Sequence, residues 1–164
     1  MLKIRKQLSM YVPGDAAKDL EDVRKTIDPI QHGLIPAHIT LCREDEPGDL
    51  SKLKLRLGNI PFKPLTLRFG KPEVFSGHGL LLNCVEGEDA FRLLREYLLD
   101  SKNIRNQKPH MTLAHPRNPK STGNALDNAS RLPAIIKIIF PTVSLIEQEG
   151  NEPWRVLEKY ALPG

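Results

Sequence analysis

The chain has 164 residues, of which 40% are hydrophobic and 27% charged, a composition typical of an ordinary globular protein. Its length fits one compact domain or two small fused lobes, and no apolar run approaches the roughly 18–20 residues that a membrane-spanning helix needs. The formal net charge of +4 favours an anionic partner, but only mildly.

The chain begins with charged residues and a predicted strand. The first six residues, Met1 to Lys6, include three basic side chains and no apolar core of a signal peptide. We therefore expect a cytoplasmic protein, and we expect it to be a monomer. Apolar and polar residues are interleaved over residues 3–12, which indicates the first strand.

A helix is predicted next, followed by a second strand. Pro13 and Gly14 precede Asp15, which is a candidate N-cap. Apolar residues then recur at spacings of three and four, which gives one stripe along a helix: Leu20, Val23, Ile27 and Ile30. Gly33 and Pro36 end this helix.

The middle of the chain predicts two helices around a pair of strands. Asp49 can cap a helix after residue 49, although Leu53, Leu55 and Leu57 would also suit a strand. Residues 65–69 and 80–85 read as strands joined through Pro72 and a glycine turn. Residues 89–102 predict the clearest helix. Its apolar face comprises Ala90, Phe91, Leu93, Leu94, Tyr97 and Leu98, and its polar side comprises Arg92, Arg95 and Glu96.

The C-terminal part predicts three closing strands. Residues 116–132 are polar and contain a short predicted helix at 124–131. Residues 134–140, 143–147 and 154–162 favour strands, with a hairpin turn at Gly150. The order of elements indicates an α+β protein with two related half-lobes and mainly antiparallel sheets around a cleft, within a single domain over residues 1–164.

One four-residue pattern occurs twice. His38-Ile-Thr-Leu41 and His110-Met-Thr-Leu113 stand 72 positions apart, each after a predicted helix. With average composition, a given His starts such a pattern about once in several hundred cases, so chance is a poor explanation. On a strand, His38 and Thr40 share one face while Ile39 and Leu41 share the other. Each pattern therefore presents an imidazole beside a hydroxyl and buries two apolar side chains.

Two such pairs facing one another across a cleft suit metal-free cleavage of a phosphodiester. One imidazole can accept a proton from the attacking group while the other donates a proton to the leaving oxygen. The hydroxyls of Thr40 and Thr112 can donate to the phosphoryl oxygens. A nearby Arg, Lys or protonated His is expected as well, since hydroxyls stabilise this charge less than a cation does.

These motifs resemble those of the 2H phosphoesterase superfamily, and in particular of the LigT-like bacterial RNA 2′,3′-cyclic phosphodiesterases, also called 2′-5′ RNA ligases. The similarity in motif order, motif separation and strand–helix–strand context extends from the first strand to the closing strand after Trp154. It implies a bilobal, pseudo-twofold fold with a central cleft and no cofactor. It also implies hydrolysis of 2′,3′-cyclic phosphates to 2′-phosphates at an RNA 3′ end or on a small cyclic nucleotide, and the reverse ligation.

The resemblance implies roles for individual residues. His38 would be the proton donor and His110 the proton acceptor. LigT-like members often carry Arg three positions after the second-motif Thr, where this chain has His115; the matching position after the first motif is Arg43. We therefore expect Arg43 or a protonated His115 near the phosphate, together with Thr40 and Thr112 as substrate-binding residues.

Several alternatives remain open. Either His could be structural, and two histidines could belong to a metal site, although no Cys or carboxylate stands at ligand spacing and no metal is expected. The substrate could instead be a 2′-5′ oligonucleotide or an ADP-ribose cyclic phosphate, or the chain could bind RNA ends without turnover. Other side chains are expected to have bland roles: exposed His32 and His78, a reduced buried Cys42, and packing of Tyr11, Phe69 and Trp154, which could otherwise stack on a base.

Overall fold

The computed structural model describes residues 2–120 and 125–164, which form eight strands and five helices. The strands are β1 (Ile4–Tyr11), β2 (His38–Cys42), β3 (Leu65–Phe75), β4 (Gly79–Glu86), β5 (His110–Ala114), β6 (Ile136–Phe140), β7 (Thr142–Glu149) and β8 (Arg155–Ala161). The helices are α1 (Gly14–Ile27), α2 (Pro29–Leu34), α3 (Leu50–Leu57), α4 (Glu88–Leu99) and α5 (Ala125–Ala129). Within the described residues, no helix is long and apolar enough to cross a membrane.

The strands form two four-stranded antiparallel sheets with matching arrangements. Their strand orders are β2-β1-β7-β8 and β5-β4-β3-β6. In each sheet the motif strand is at the edge and pairs with the strand that precedes its helix, so α1 between β1 and β2 corresponds to α4 between β4 and β5. The predicted α+β class with two related antiparallel half-lobes is confirmed.

The two motif strands face each other where the sheets meet. β2 contacts β5, and each motif strand also contacts the helix of the opposite half, α1 with β5 and α4 with β2. Ile39 and Leu41 of β2 and Met111 and Leu113 of β5 are buried in a core that both halves share. The His and Thr of each motif, which alternate with these residues, are only half-buried and line the cleft, as the strand periodicity predicted.

The first helix is shorter than predicted and begins differently. Pro13 is the residue at its N-cap, so Asp15 lies in the first turn, where its charge favours the helix dipole without a side-chain cap. The helix ends at Ile27 because Pro29 disfavours a helical conformation at Asp28. Asp28 then caps α2 by accepting a hydrogen bond from the N–H of Gln31. Ile30 therefore leaves the apolar stripe and is 47% exposed.

The face of α4 also differs from the prediction at two positions. Arg95, placed on the polar side by its residue type, is 1% exposed, whereas Leu93 of the predicted apolar face is 52% exposed. Arg95 can be buried because both terminal nitrogens of its guanidinium donate to Glu46 and to backbone carbonyls, those of Leu41 and Arg105. Sequence periodicity had no information about this distant partner.

The remaining elements follow the sequence closely. Asp49 caps α3 through the N–H groups of Ser51 and Lys52, which confirms the helix over the strand alternative. β3 continues beyond the predicted residues and includes Pro72, at a point where only β4 pairs with it and the register shifts. Gly150 turns between β7 and β8 with a φ of 55°. The predicted start of the last helix, at Asn124, lies outside the described residues.

Candidate active site

The two motif histidines have the same local geometry. Nδ1 of His38 lies 2.8 Å from the backbone oxygen of Pro36, and Nδ1 of His110 lies 3.1 Å from that of Lys108. In each case the carbonyl belongs to the residue two positions upstream and accepts the Nδ1–H. This hydrogen bond fixes the tautomer and leaves Nε2 of each ring as the nitrogen that can exchange a proton in the cleft.

Both histidines and both threonines line one cavity, which we call the inner chamber. It has a volume of about 380 Å³, and its polar lining includes His38, Thr40, His110, Thr112, His115, Arg5, Gln7, Arg117 and Trp154. Strand alternation explains part of this set, since His38 and Thr40 share one face of β2 and His110 and Thr112 share one face of β5. The structure therefore brings the two halves of the predicted motif pair to a single cavity.

A second cavity of about 500 Å³ adjoins the first, and we call it the outer chamber. Six residues line both chambers, among them Thr40, His110, Arg117 and Trp154. The outer chamber adds Lys3, Arg43, Glu44, Asp45 and Gln107. Its two acids already have cationic partners, because Glu44 lies 3.5 Å from Lys3 and Asp45 lies 2.9 Å from Arg105. A further cavity of about 640 Å³, beside Val74, His78 and Leu126, contains neither motif.

The charge states of the inner chamber are shifted by burial. The pKa of His38 is lowered to about 4, mainly by burial, with smaller contributions from the positive charge of Arg24 and from His110; the hydrogen bond to Pro36 acts in the opposite direction. The unliganded cleft therefore holds His38 in its neutral form at neutral pH. Tyr11, whose ring edge meets the His38 ring with centroids 6.1 Å apart, has its pKa raised to about 12 by burial and stays protonated.

The two residues that follow the motifs lie in different places. Arg43 is exposed and lines the outer chamber, whereas His115 lines the inner chamber. Nδ1 of His115 accepts a hydrogen bond from the backbone N–H of Arg117 at 3.1 Å, and burial and the Arg117 charge lower its pKa. The lowered pKa favours the neutral form of the His115 imidazole.

Sequence reasoning missed the cations that line both chambers, Arg5 and Arg117. Arg117 lies two positions beyond His115 in a turn, so no strand or helix period marked it. Arg5 and Gln7 could have been found, because they alternate with the buried face of β1 on the same side as Ser9. The Arg5 guanidinium also lies over the ring of Trp154, 5.1 Å from its centroid, so Trp154 is a rim residue of the cleft.

Most of the residues for which no role in the site was expected have none. Cys42 is a free, buried thiol whose pKa burial raises to about 12, and Phe69 is fully buried. His32 and His78 were expected to be exposed but are half-buried, and Nε2 of His78 lies 2.7 Å from the backbone oxygen of Asn118. Within residues 2–120 and 125–164, no three His, Cys, Asp or Glu side chains cluster as metal ligands would.

Comparison with known proteins identifies the family and the fold. The family model described as the 2′-5′ RNA ligase superfamily matches residues 12–152. The fold is similar to Escherichia coli LigT complexed with 3′-AMP, with a TM-score of 0.65, 16% identity, and coverage of 98% of this chain and 99% of that chain. A structure titled only as a phosphoesterase matches with a TM-score of 0.61, 16% identity, and coverage of 99% and 100%. No curated protein sequence matches this chain.

Proposed function

This chain belongs to the 2′-5′ RNA ligase superfamily, and from that premise we propose that it is a phosphoesterase that hydrolyses 2′,3′-cyclic phosphates at RNA ends or on nucleotides. The product would carry a 2′-phosphate, and the reaction would need no metal ion. One observation carries the proposal: two imidazoles, each anchored through Nδ1 and each beside a threonine, line the same chamber.

The proposed reaction is a single displacement at phosphorus. His110 accepts a proton from a water molecule as its oxygen forms a bond to phosphorus, and His38 donates a proton to the 3′ oxygen as the P–O3′ bond breaks. His38 must be protonated when the reaction begins. Because its pKa in the unliganded chamber is about 4, the bound phosphate anion would have to raise that pKa.

The remaining residues of the chamber supply charge and hydrogen bonds. Thr40 and Thr112 would donate their hydroxyls to the non-bridging oxygens. Arg117 lines both chambers and would supply the cation that the chemistry requires. His115, held neutral by burial, would contribute a hydrogen-bond donor at Nε2. Arg43 would bind substrate from the outer chamber.

The nature of the ligand is supported by the structural relatives. Escherichia coli LigT has been crystallised with 3′-AMP, with ATP and with NADP+, all of which are nucleotides with phosphate groups. A nucleotide or RNA end is therefore the first ligand class to test on this cleft.

The decisive experiment is turnover of nucleoside 2′,3′-cyclic monophosphates in the presence of EDTA. We expect a 2′-phosphate product, and a loss of about 10²–10⁴-fold in kcat for His38→Ala and for His110→Ala. The matched control is His32→Ala, since His32 lies outside both chambers. Full activity of either motif variant would contradict the two-histidine mechanism, and a 3′-phosphate product would reverse the leaving group.

Substrate size can be tested through Arg43, because it lines only the outer chamber. We expect Arg43→Gln to lower kcat/KM for a dinucleotide with a cyclic end by about tenfold, as for the loss of one charged hydrogen bond, and to change the mononucleotide little. Arg117→Gln should lower both. An equal effect of Arg43→Gln on both substrates would assign Arg43 to the reacting phosphate instead.

Two other functions are distinguished by the same assays. A 2′-5′ oligonucleotide or ADP-ribose cyclic phosphate would be turned over in place of the RNA end, with the same dependence on His38 and His110. An RNA-end binding module would bind phosphorylated RNA without turnover. Binding that weakens steeply with salt would then favour a contact with a longer RNA strand.

A further inference from the structure

A buried arginine contacts the segment that precedes each motif histidine. Arg24 of α1 is 0% exposed and Arg95 of α4 is 1% exposed, and α1 and α4 are the corresponding helices of the two halves. Each has a glutamate partner, Glu21 for Arg24 and Glu46 for Arg95. Neither arginine lines the inner or the outer chamber.

The Arg24–Glu21 pair holds the backbone immediately before the first motif. Nη2 of Arg24 donates to the carbonyl of Ile35 at 2.8 Å, and the N–H of Ala37 donates to Glu21 at 3.4 Å. These contacts flank Pro36, whose carbonyl accepts the Nδ1–H of His38.

The second pair acts on the segment before His110. Arg95 donates to the carbonyl of Arg105 and to the side-chain oxygen of Gln107, both at 3.2 Å. Lys108, the next residue, carries the carbonyl that accepts the Nδ1–H of His110. Arg95 is also bound by Glu46 in a two-pronged pair, at 3.0 Å and 2.7 Å.

Stability alone does not account for Arg24. Its Nε is buried without a hydrogen-bond partner among the described residues, and a buried, incompletely paired cation is less stable than apolar side chains of similar volume. Because Arg24 lies close enough to His38 to affect its pKa, we take its burial to indicate a role in the site.

We propose that Arg24 with Glu21, and Arg95 with Glu46, are positioning residues that hold the carbonyls which orient His38 and His110 for proton transfer. The inference rests on the proposed two-histidine function. Arg24 has a second effect, because its positive charge opposes protonation of His38. Other charged or titratable groups around His38 are Tyr11, Arg5, His110, His115 and Arg117.

The test compares a neutral replacement of the buried pair with the same replacement of a partly exposed pair. The variant Arg24→Met with Glu21→Gln removes both charges at little change in volume. The control, Arg92→Met with Glu96→Gln, removes a partly exposed pair of α4 whose atoms are 3.4 Å apart and which lines neither chamber. We expect the buried-pair variant to lose about 10- to 100-fold in kcat on a 2′,3′-cyclic nucleotide with KM changed by less than about twofold, and the control to lose nothing.

Titration of the His38 imidazole by NMR is a second measurement, because its midpoint would not change if Arg24 only stabilised the fold. In the buried-pair variant its midpoint should rise above about 4, because the Arg24 charge no longer opposes protonation, but it should stay below the ordinary 6.5, because burial is the larger cause of the shift. Arg24→Lys keeps the charge but not the planar fork, so the midpoint should stay low while kcat falls. Arg24→Lys and Glu21→Gln alone also test the proposal if the double variant does not fold.

The outcomes separate this inference from the proposed function. If the parent turns over none of the phosphoesters, the proposed function fails, and the His38 midpoint still decides whether Arg24 acts on it. If the parent is active and the folded buried-pair variant keeps both its kcat and its His38 midpoint, the positioning role is wrong and the function stands.

Discussion

At the scale of single residues, His38 and His110 share an anchor but not an environment. Both rings donate Nδ1–H to the carbonyl two residues upstream. Only His38 lies close to Arg24 and to the ring of Tyr11, and its pKa is lowered to about 4. The surroundings of His38, and not its motif, therefore set its acid–base properties.

The lowered pKa of His38 predicts a pH dependence of stability. Because His38 titrates near 4 when folded and near 6.5 otherwise, protons bind the unfolded chain more tightly. The free energy of unfolding should therefore fall as the pH drops from 6.5 to about 4, by about 1–3 kcal/mol in total given the partial exposure of the ring.

Urea unfolding of the parent and of His38→Asn across this pH range measures the effect. Asn keeps an N–H that can donate to Pro36 but does not titrate, so the difference in unfolding free energy between the two proteins isolates His38. A difference that stays constant with pH would mean that His38 is not held neutral by the fold.

At the scale of elements, the corner between α1 and α2 is tied to the turn after β5. The Asp28 carboxylate caps α2 through Gln31 and also accepts from the N–H of His115 at 2.8 Å and from the Asn118 amide at 3.0 Å. On the other side, Arg95 donates to the carbonyl of Leu41 at the end of β2. Each motif strand therefore has its end fixed by a segment of the opposite half.

Two helix caps provide a matched comparison of this effect. Asp49→Ala removes only the cap of α3 and should lower the free energy of unfolding by about 1 kcal/mol. Asp28→Ala removes a cap and the buried hydrogen bonds to the β5 turn, so it should cost about 2–4 kcal/mol. Urea unfolding of both variants checks this, and equal losses would show that the contacts to His115 and Asn118 add no stability.

At the scale of the whole molecule, the two sheets share one core and are joined by buried polar contacts. Arg95 and Glu46 come from different halves, and the side chain of Gln107 donates to the carbonyl of Thr40 on the edge strand β2 at 2.8 Å. Edge strands that are covered in this way do not offer free backbone groups to other chains at those positions. The single-domain and monomer predictions are consistent with this arrangement and remain to be tested.

We predict that both halves unfold in one cooperative transition. Trp154, the one tryptophan of the sequence, precedes β8 and reports on the first sheet by fluorescence, whereas far-ultraviolet circular dichroism reports on both sheets. The two urea curves should coincide. Separate transitions would indicate two independent domains, and light scattering above the monomer mass of 18.5 kDa would contradict the monomer prediction.

Local patterns in the sequence were sufficient for most elements and for the motif residues. The period of two around His38 and His110 placed each imidazole beside its threonine and buried Ile39 and Met111, because side chains alternate on any strand. Periodicity also predicted the helices, apart from the break at Asp28, because apolar spacing does not reflect the restriction that Pro29 places on the backbone of Asp28.

The sequence by itself determined the two half-sites, the α+β class and the resemblance to the family, since each depends on residues close together in the chain. Only the tertiary structure decided that Arg95 is buried, that Arg5 and Arg117 line the cleft, and that His38 is neutral. The reason is physical: the partner of Arg95 lies 49 residues away, and the pKa of His38 depends on desolvation and on the Arg24 charge. The sequence alone therefore shows the repeated motif, whereas the different surroundings of its two copies arise only when the chain folds.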